Sequence, residues 1–529
     1  MIDESEFIAC IDVGTTGCRT IIFSTAGKLV AESYEEYTSI FLSPTWIDHD
    51  PSTWIGAVRN TLKQALHQFP GDPKNIAAIS VISQRATFVP VDTKGIPLDN
   101  AILWQDKRAT AQADIVREEL GADCIYRKTG LRIDPYFSLP KLLWLKKNKP
   151  SVFKSTYKLL TVHDLIIHFL TGEFVTDWTQ ASRTMLFNIT DLQWDAEICD
   201  RFEIPMEMLA KTIPPGTVVG GLRPSLRSEL DLRRDIPVIA VGGDQQAAAV
   251  GLGVFVPGLI CVNTGTGSFI LAHARKPAFD PDRRVICTAS AIAGKWLLEA
   301  SIFTSGSVYR WFRDNFGTAA ANCPGGFHSD PYELLNREME CSRPGAEGVL
   351  LIPHFAGSAA PYWNPDATGL IFGLTLGHKR PQVIRALLEG LCFEICKNIR
   401  IIESLTGDID EIRVSGGATR SPAFNQIQAD VYGKAVLRGL SEQSSALGAM
   451  LVSAVSIGSY PDISAAFQAA VSLDFNTRRT PNDRNKRLYA KMLELHDALY
   501  KALSSHKIYE MASEVRSMLV RSRTDPEAE

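Results

Sequence analysis

The sequence predicts an α/β chain built from two related halves, on three observations. Apolar strand-like runs (FIACIDV, IIFST, IAAISVIS, PVIAVGG, LICVNT, GVLLIP, EIRVSGG) alternate with helix-like stretches. ACIDVGTTGCRTIIFS at 9–24 and LICVNTGTGSFILAH at 259–273 follow one plan: apolar strand, Gly/Thr-rich turn, apolar strand. They lie roughly half a chain apart, as expected of two related domains facing each other. At 529 residues the chain is also too long for one ordinary core. The boundary is expected near Gly251–Gly258, where Pro257 and Gly258 interrupt the apolar runs, giving domains 1–253 and 254–529.

Each element has a local reason. Trp54 to Gln68, Ser138 to Lys147 and Gln382 to Ser404 read as helices. The last follows Pro381 and precedes Gly407, the residues a helix accepts at its start and just past its end. Val383, Ile384, Leu387, Leu388, Leu391 and Ile395 recur along it at helical spacing. A further helix is expected from Asn482 to Leu503 or beyond, with the polar end RSRTDPEAE frayed. Pro237 to Val241 read as a buried strand, Gly242 and Gly243 as a turn, and Gln245 onward as a helix.

Composition narrows the function. The chain is 45% apolar and 22% charged, with a formal charge of −4 and scattered Lys and Arg, so it gives no electrostatic case for nucleic acid. The short acidic start MIDESEFIAC is unlike a secretory signal, and no run approaches ~18 uninterrupted apolar residues, so no membrane span is expected. The 10 cysteines form no CxxC pair. Cys392 and Cys396, one helical turn apart, read as core thiols rather than metal ligands. A reduced, cytoplasmic protein without structural zinc is expected.

Several residues carry chemistry. Gly14, Thr15, Thr16 and Gly17 make a turn whose backbone N–H groups can face an anion, and Thr264, Gly265, Thr266, Gly267 and Ser268 make a second. Either alone reads as an ordinary hairpin turn; two on matching scaffolds point to a phosphate-bearing ligand. No G-x-x-x-x-G-K-[ST] occurs, which excludes a P-loop. Asp12 stands inside an apolar strand, where a carboxylate is costly without a partner; Mg²⁺ would supply one, and the alternative is a strand-end aspartate bonded to backbone. Arg19 is either within reach of a phosphate or a surface arginine. Asp244 either caps the helix that follows or is a catalytic carboxylate at the carboxyl end of a strand, where open α/β sheets bind ligands. Gln84, Arg85 and Thr87 crowd a strand end, and Trp104 ends another apolar run; together they suit a polyhydroxylated substrate, although Trp104 alone also reads as core.

In order and spacing, IDVGTTGCR, SQRAT, ILWQDKRA, DPYFS, GGDQQAA, TGTGSF, FAGSAAPYWNPDATGLIFGLT and VSGGATRSPAFNQIQADVYG resemble the FGGY carbohydrate kinases over nearly the whole chain. GLIFGLTLGHKRPQVIRALLE, from Gly369 to Glu389, is similar to that family's long C-terminal signature. The resemblance implies two actin-like (ribonuclease-H-like) domains around a central cleft, with the acceptor held mainly by the N-terminal domain and ATP, with Mg²⁺, mainly by the C-terminal one. It implies Asp244 as general base and Asp12 at the metal. Thr15, Thr16, Gly17, Arg19, Thr266 and Gly267 would face the ATP phosphates, and Gly306, Gly417, Ala418 and Ser421 would line the nucleotide pocket. Arg85, Trp104, Tyr136, Asp244, Gln245 and Phe269 would line the acceptor pocket.

SQRAT, DPYFS and GDQQAA look most like glycerol kinases, which makes glycerol the leading acceptor. Two departures stand out. Ala86 occupies the place of a glutamate that holds glycerol hydroxyls, a loss of roughly 1.5–3 kcal/mol that also opens space. Ser421 occupies the place of an asparagine near the adenine. A kinase of a four- or five-carbon ketose or polyol (xylulose, ribulose or erythritol type) or of autoinducer-2 is the alternative, and an actin-like ATPase or sensor without a small acceptor is the alternative of another class. A homo-oligomer, dimer or tetramer, is expected from the resemblance alone.

Overall fold

Phe7–Val13 (β1) and Gly17–Ser24 (β2) form the first hairpin, antiparallel, with Asp12 opposite Arg19. Leu29–Glu36 (β3) pairs with β2 on its outer side. This is the computed structural model of the chain, and it describes residues 6–43, 45–232, 235–316, 330–439 and 443–524. Pro51–Gln68 (α1) begins three residues before the expected Trp54, because Asp50 accepts the Ser52 N–H and Pro51 suits the first turn. Its buried stripe of Trp54, Ala57, Val58, Thr61, Leu62 and Ala65 packs on β2 and β3. Val58 and Leu62 each contribute about 1.5–3 kcal/mol on burial.

Ile76–Ser83 (β4) runs parallel to β1 on the side away from β2. A long crossover follows, including Ser138–Asn148 (α2) and Val162–Thr171 (α3). Thr217–Gly221 (β5) and Pro237–Gly243 (β6) complete a six-stranded sheet of order β5-β6-β4-β1-β2-β3. Asp244–Gly251 (α4) starts immediately after β6. Ile11, Val13, Ile79 and Val81 are buried on one face of the sheet, and Ile8, Cys10, Ile239 and Val241 on the other. Cover on both faces is why these strands read as continuous apolar runs instead of alternating ones.

The second hairpin, Leu259–Thr264 (β7) and Ser268–Ala274 (β8), forms as the repeat predicts. Gly306–Phe316 (α5), Pro331–Glu340 (α6) and Arg380–Thr406 (α7) come next, α7 one helical turn longer overall than the expected 382–404. Glu411–Ser415 (β9), Pro422–Tyr432 (α8) and Ala435–Arg438 (β10) follow. β8, β7, β9 and β10 lie side by side, with β9 parallel to β7 and β10 parallel to β9. β2, β1, β4 and β6 stand in the same relation. Both halves therefore set a Gly/Thr hairpin beside two parallel strands, and each is an α/β unit of one plan.

Ser444–Ser456 (α9), Ile463–Ala470 (α10), Asp483–Ser505 (α11) and Ile508–Thr524 (α12) follow. The helix expected from Asn482 to Leu503 or beyond is α11, with Asn482 as its N-cap, and a break at His506–Lys507, where Lys507 takes φ +55, separates it from α12. Residues 521–524 of the expected frayed end are helical, and 525–529 lie outside the described residues. The chain divides into two compact units. One comprises Met1–Val256, His273–Leu298 and Gln443–Leu473; the other comprises Pro257–Ala272, Glu299–Glu442 and Asp474–Glu529. Among the described residues no helix is long and apolar enough to cross a membrane.

Candidate active site

In the first unit the site is built from the ends of β1, β4 and β6. Gly242 turns the end of β6 with φ +116, and a Cβ there would lie 2.1 Å from Thr179 Oγ1, so glycine is required. Thr179 Oγ1 accepts the Gly243 N–H at 2.7 Å and fixes the bend. Asp244 then opens α4, half-buried, and its Oδ1 accepts the Gln245 N–H at 2.7 Å. The helix N-terminus favours the anionic carboxylate. Capping and a catalytic role are compatible in one side chain.

Asp12, near the end of β1, is also half-buried. Burial, and after it the charge of Asp244, push its carboxyl up to about 7, while Arg19 pulls the other way. Two like charges that disfavour each other at strand ends fit a cation that neutralises both. Among the described residues no group of three or more His, Cys, Asp or Glu could hold a metal ion by itself. The donor set therefore fits magnesium, which takes one or two carboxylates and draws its other ligands from phosphate and water. Arg19 lies with Nη1 3.8 Å from Glu32 Oε2 and its guanidinium 5.0 Å from the Tyr34 ring centroid.

The first turn is tied to the segment carrying Gln84, Thr87 and Trp104 by a closed circuit of hydrogen bonds. Gly14 donates its N–H to the Gly17 carbonyl at 3.0 Å, leaving Thr15 half-buried and Thr16 exposed. Gln84 Nε2 donates to the Gly14 carbonyl at 3.0 Å, and Thr87 Oγ1 donates to Gln84 Oε1 at 3.3 Å. The Trp104 backbone N–H donates to Thr87 Oγ1 at 3.1 Å, and its indole Nε1–H donates to Thr15 Oγ1 at 3.0 Å. Trp104 is thus held by the turn itself.

Arg85 is 4% exposed and runs past Gly243, where a Cβ would lie 2.5 Å from its Cδ. Arg85 and Asp244 are therefore brought to one place by two strand ends. Tyr136 packs on Trp104, ring centroids 5.2 Å apart. The Gln245 side chain is half-buried, and its Oε1 has no hydrogen-bond partner among the described residues. Ala86 is fully buried with φ +64, so its methyl has no solvent-reachable room beside it. The opening expected there is absent.

Two residues of this site escaped the sequence reading. Lys141, in α2, is fully buried and donates from Nζ to the Ala86 carbonyl at 3.0 Å and the Tyr136 carbonyl at 2.7 Å. Burial pushes its ammonium down to about 7, against the pull of Asp106 and Asp134. Arg183 Nη2 donates to the Tyr136 hydroxyl at 3.3 Å, with the guanidinium 5.2 Å from that ring's centroid. The available signal was the lone lysine inside SLPKLLWL, an otherwise apolar turn.

In the second unit Thr266, Gly306, Gly417, Ala418 and Ser421 line one cavity of about 940 Å³. The turn after β7 is bonded to the start of α5: Gly306 donates to the Gly265 carbonyl at 2.9 Å, and Ser305 to the Thr266 carbonyl at 2.9 Å. A Cβ on Gly306 would lie 2.4 Å from the Gly265 carbonyl oxygen, so a larger residue would force turn and helix apart. Gly267 lies outside the lining, and a Cβ there would lie 2.4 Å from the Ile302 carbonyl oxygen. Ser421 is the N-cap of α8, its hydroxyl accepting the Phe424 N–H at 3.2 Å. Phe269, half-buried on β8 opposite Asn263, belongs to this second unit and not to the one that holds Arg85, Trp104 and Tyr136. Tyr309, Asn336 and Arg337, from α5 and α6, also line the cavity and were not foreseen.

Comparison with known proteins gives concordant results. Residues 7–251 match the N-terminal domain of the FGGY family of carbohydrate kinases, and residues 260–457 match its C-terminal domain. The glycerol kinase of Thermococcus gammatolerans is 36% identical over 458 residues, which span 85% of this chain and 89% of that enzyme. The ligand-bound xylulose kinase of Lactobacillus acidophilus superposes with a TM-score of 0.87 at 27% identity, over 94% of this chain and 98% of that one. Plasmodium falciparum glycerol kinase with ADP superposes at 0.84 with 26% identity, over the same shares of 94% and 98%.

Proposed function

Because the chain belongs to the FGGY family of carbohydrate kinases, and is thus an ATP-using phosphotransferase with an alcohol acceptor, we propose that its acceptor is a small polyol, glycerol first. The observation that supports this reading is Arg85 lying against Gly243, next in the chain to Asp244, while Trp104, bonded to the first turn, packs on Tyr136. A guanidinium and an unsatisfied amide oxygen on Gln245 suit hydroxyl groups, and two ring faces suit the carbons between them. The enclosed Ala86 supports a short acceptor, since its small side chain adds no room.

Asp244 is the general base in this reading. It orients the attacking hydroxyl and takes its proton as the new O–P bond forms. The oxygen engaged by the Gln245 N–H holds the carboxylate in one orientation. Asp12 would hold Mg²⁺, directly or through its waters, and the metal when bound offsets the charge of the nucleotide phosphates. In the second unit the cavity lined by Thr266, Gly306, Gly417, Ala418 and Ser421 takes the nucleotide in this reading. Its volume suits a ligand of that size.

A second reading, a four- or five-carbon ketose or polyol acceptor, is supported by the missing glutamate at position 86 and by the likeness to xylulose kinase. ADP release with Mg-ATP across glycerol, erythritol, ribitol, xylitol, xylulose and ribulose separates the two. The primary reading predicts a saturable response strongest with glycerol. A response confined to the longer compounds moves the assignment to the second reading, and a flat panel contradicts both.

A further inference from the structure

The bend that presents Asp244 is held by one short segment, residues 177–180. β6 pairs with β4 in parallel, but its register shifts by one residue between Ala240 and Gly242, so that Gly243 stands beside Ser83. The extra residue draws the end of β6 back one position against β4 and reverses the face that its last residues present. A bulge of this kind re-aims the side chain that follows, which here is Asp244. The Gly243 N–H then goes to Thr179 Oγ1 at 2.7 Å.

Asp177 fixes the direction of that bond. Its Oδ1 accepts the Thr179 backbone N–H at 2.7 Å and the Thr179 hydroxyl at 2.5 Å. With its proton committed to the carboxylate, the hydroxyl has only lone pairs left for Gly243. A Cβ on Gly242 would lie 2.3 Å from the same Oδ1, so the bulge and the carboxylate are fitted to each other. Asp177 and Thr179 are fully buried, and His163 Nδ1, on an equally buried ring, stands 3.6 Å from Asp177 Oδ2. Burying a carboxylate is costly. Capping a helix does not require that cost, since Asp50 and Asp462 cap theirs from exposed positions. Next in the segment, Gln180 Nε2 donates to Ser83 Oγ at 3.1 Å and to the Gln84 carbonyl at 3.4 Å. One segment thus holds the ends of two neighbouring strands, β4 leading to Arg85 and β6 leading to Asp244. On the reading of Asp244 as general base, we propose that Asp177 and Thr179 are positioning residues of the transfer. Through the Gly243 N–H they set the aim of the Asp244 carboxylate at the acceptor hydroxyl.

A double-mutant cycle on the full-length chain tests this, with ADP release measured at varied glycerol and varied Mg-ATP. Thr179→Val keeps the shape and loses both hydroxyl bonds. Its kcat is expected to fall ~10- to 100-fold with both KM values within about 3-fold of wild type. Thr179→Ser, which keeps the hydroxyl, is expected to stay near wild type. In the Asp244→Asn background Thr179→Val is expected to change kcat by less than about 2-fold, because the group it positions is already gone; a loss of folded protein would instead multiply the two effects. Should Thr179→Val not fold, Asp177→Asn repeats the cycle: it keeps an oxygen for the cap, accepts less strongly, and is expected to cost ~3-fold in kcat with Asp244 and nothing without it. Equal effects in the two backgrounds overturn the inference, and so does a kcat near wild type for Thr179→Val. Asp244→Asn turning over near wild type overturns the reading of the base itself, and the inference with it.

Discussion

Trp104 donates its indole N–H to the Thr15 hydroxyl at 3.0 Å, so the residue proposed for the acceptor pocket is held by one proposed for the phosphate turn. Thr15→Val keeps the volume and removes the acceptor, leaving a half-buried donor unpaired. The expected cost is about 1 kcal/mol, or ~5-fold in kcat/KM. Because the bond joins two binding segments, kcat/KM should fall for the polyol and for Mg-ATP together, while Thr15→Ser stays near wild type. Steady-state kinetics with each substrate varied in turn checks this. A change confined to Mg-ATP would mean that the indole is held by its packing on Tyr136 instead.

Lys141 gives the fold a pH dependence of definite sign. Burial lowers its folded value to about 7, below the ordinary lysine value of ~10.4, so the folded chain binds fewer protons than the unfolded one between them. Its contribution to stability therefore rises with pH from about 7 towards 10, and the penalty is complete below 7. Urea midpoints at neutral and mildly alkaline pH for wild type and Lys141→Met read this out. The wild type should gain on the variant as pH rises; parallel profiles would remove the ammonium from the account. Because the same Nζ holds the carbonyls of Ala86 and Tyr136, the variant should also raise the polyol KM more than the nucleotide KM.

In the second unit a buried ionic cluster ties α7 to α11. Glu394, 1% exposed, lies 2.9 Å from Lys397 Nζ, 3.4 Å from His354 Nε2 and 3.6 Å from His496 Nδ1. Burial alone would raise its carboxyl, but Lys397 and then His354 hold it well below the usual carboxylate range. Its contribution is full above the ordinary glutamate value of ~4.3 and is lost as pH falls below that. Glu394→Gln leaves Lys397 buried without its counter-charge and should cost about 3–5 kcal/mol in urea unfolding at neutral pH. A loss under ~1 kcal/mol would show that the pair is solvated in solution and behaves as a surface one.

The parts of the site that were legible in the sequence are those whose reason is local. Asp244 follows two glycines at the end of an apolar run, and the hairpins carry their Gly/Thr turns in the chain itself. Lys141 was not legible, because a lysine in a helix reads as solvent-facing. Only the tertiary approach of the Ala86 and Tyr136 carbonyls gives its ammonium somewhere to donate. The room expected at Ala86 fails for a related reason: residue size predicts space only when the neighbours stay away, and here the methyl is enclosed. The break between α11 and α12 carries neither Gly nor Pro and depends on Lys507 taking positive φ. The cavity lining from α5 and α6 joins the Gly/Thr turn only through folding.

The central claim is that Asp244 accepts the proton of the acceptor hydroxyl. Its most direct measurement is the rate of ADP release by Asp244→Asn and wild type at saturating Mg-ATP and glycerol. The account predicts a fall of ~10²- to 10⁴-fold, since the amide keeps the shape but cannot take the proton. A variant that turns over within a few-fold of wild type would contradict it and leave Asp244 as the cap of its helix alone.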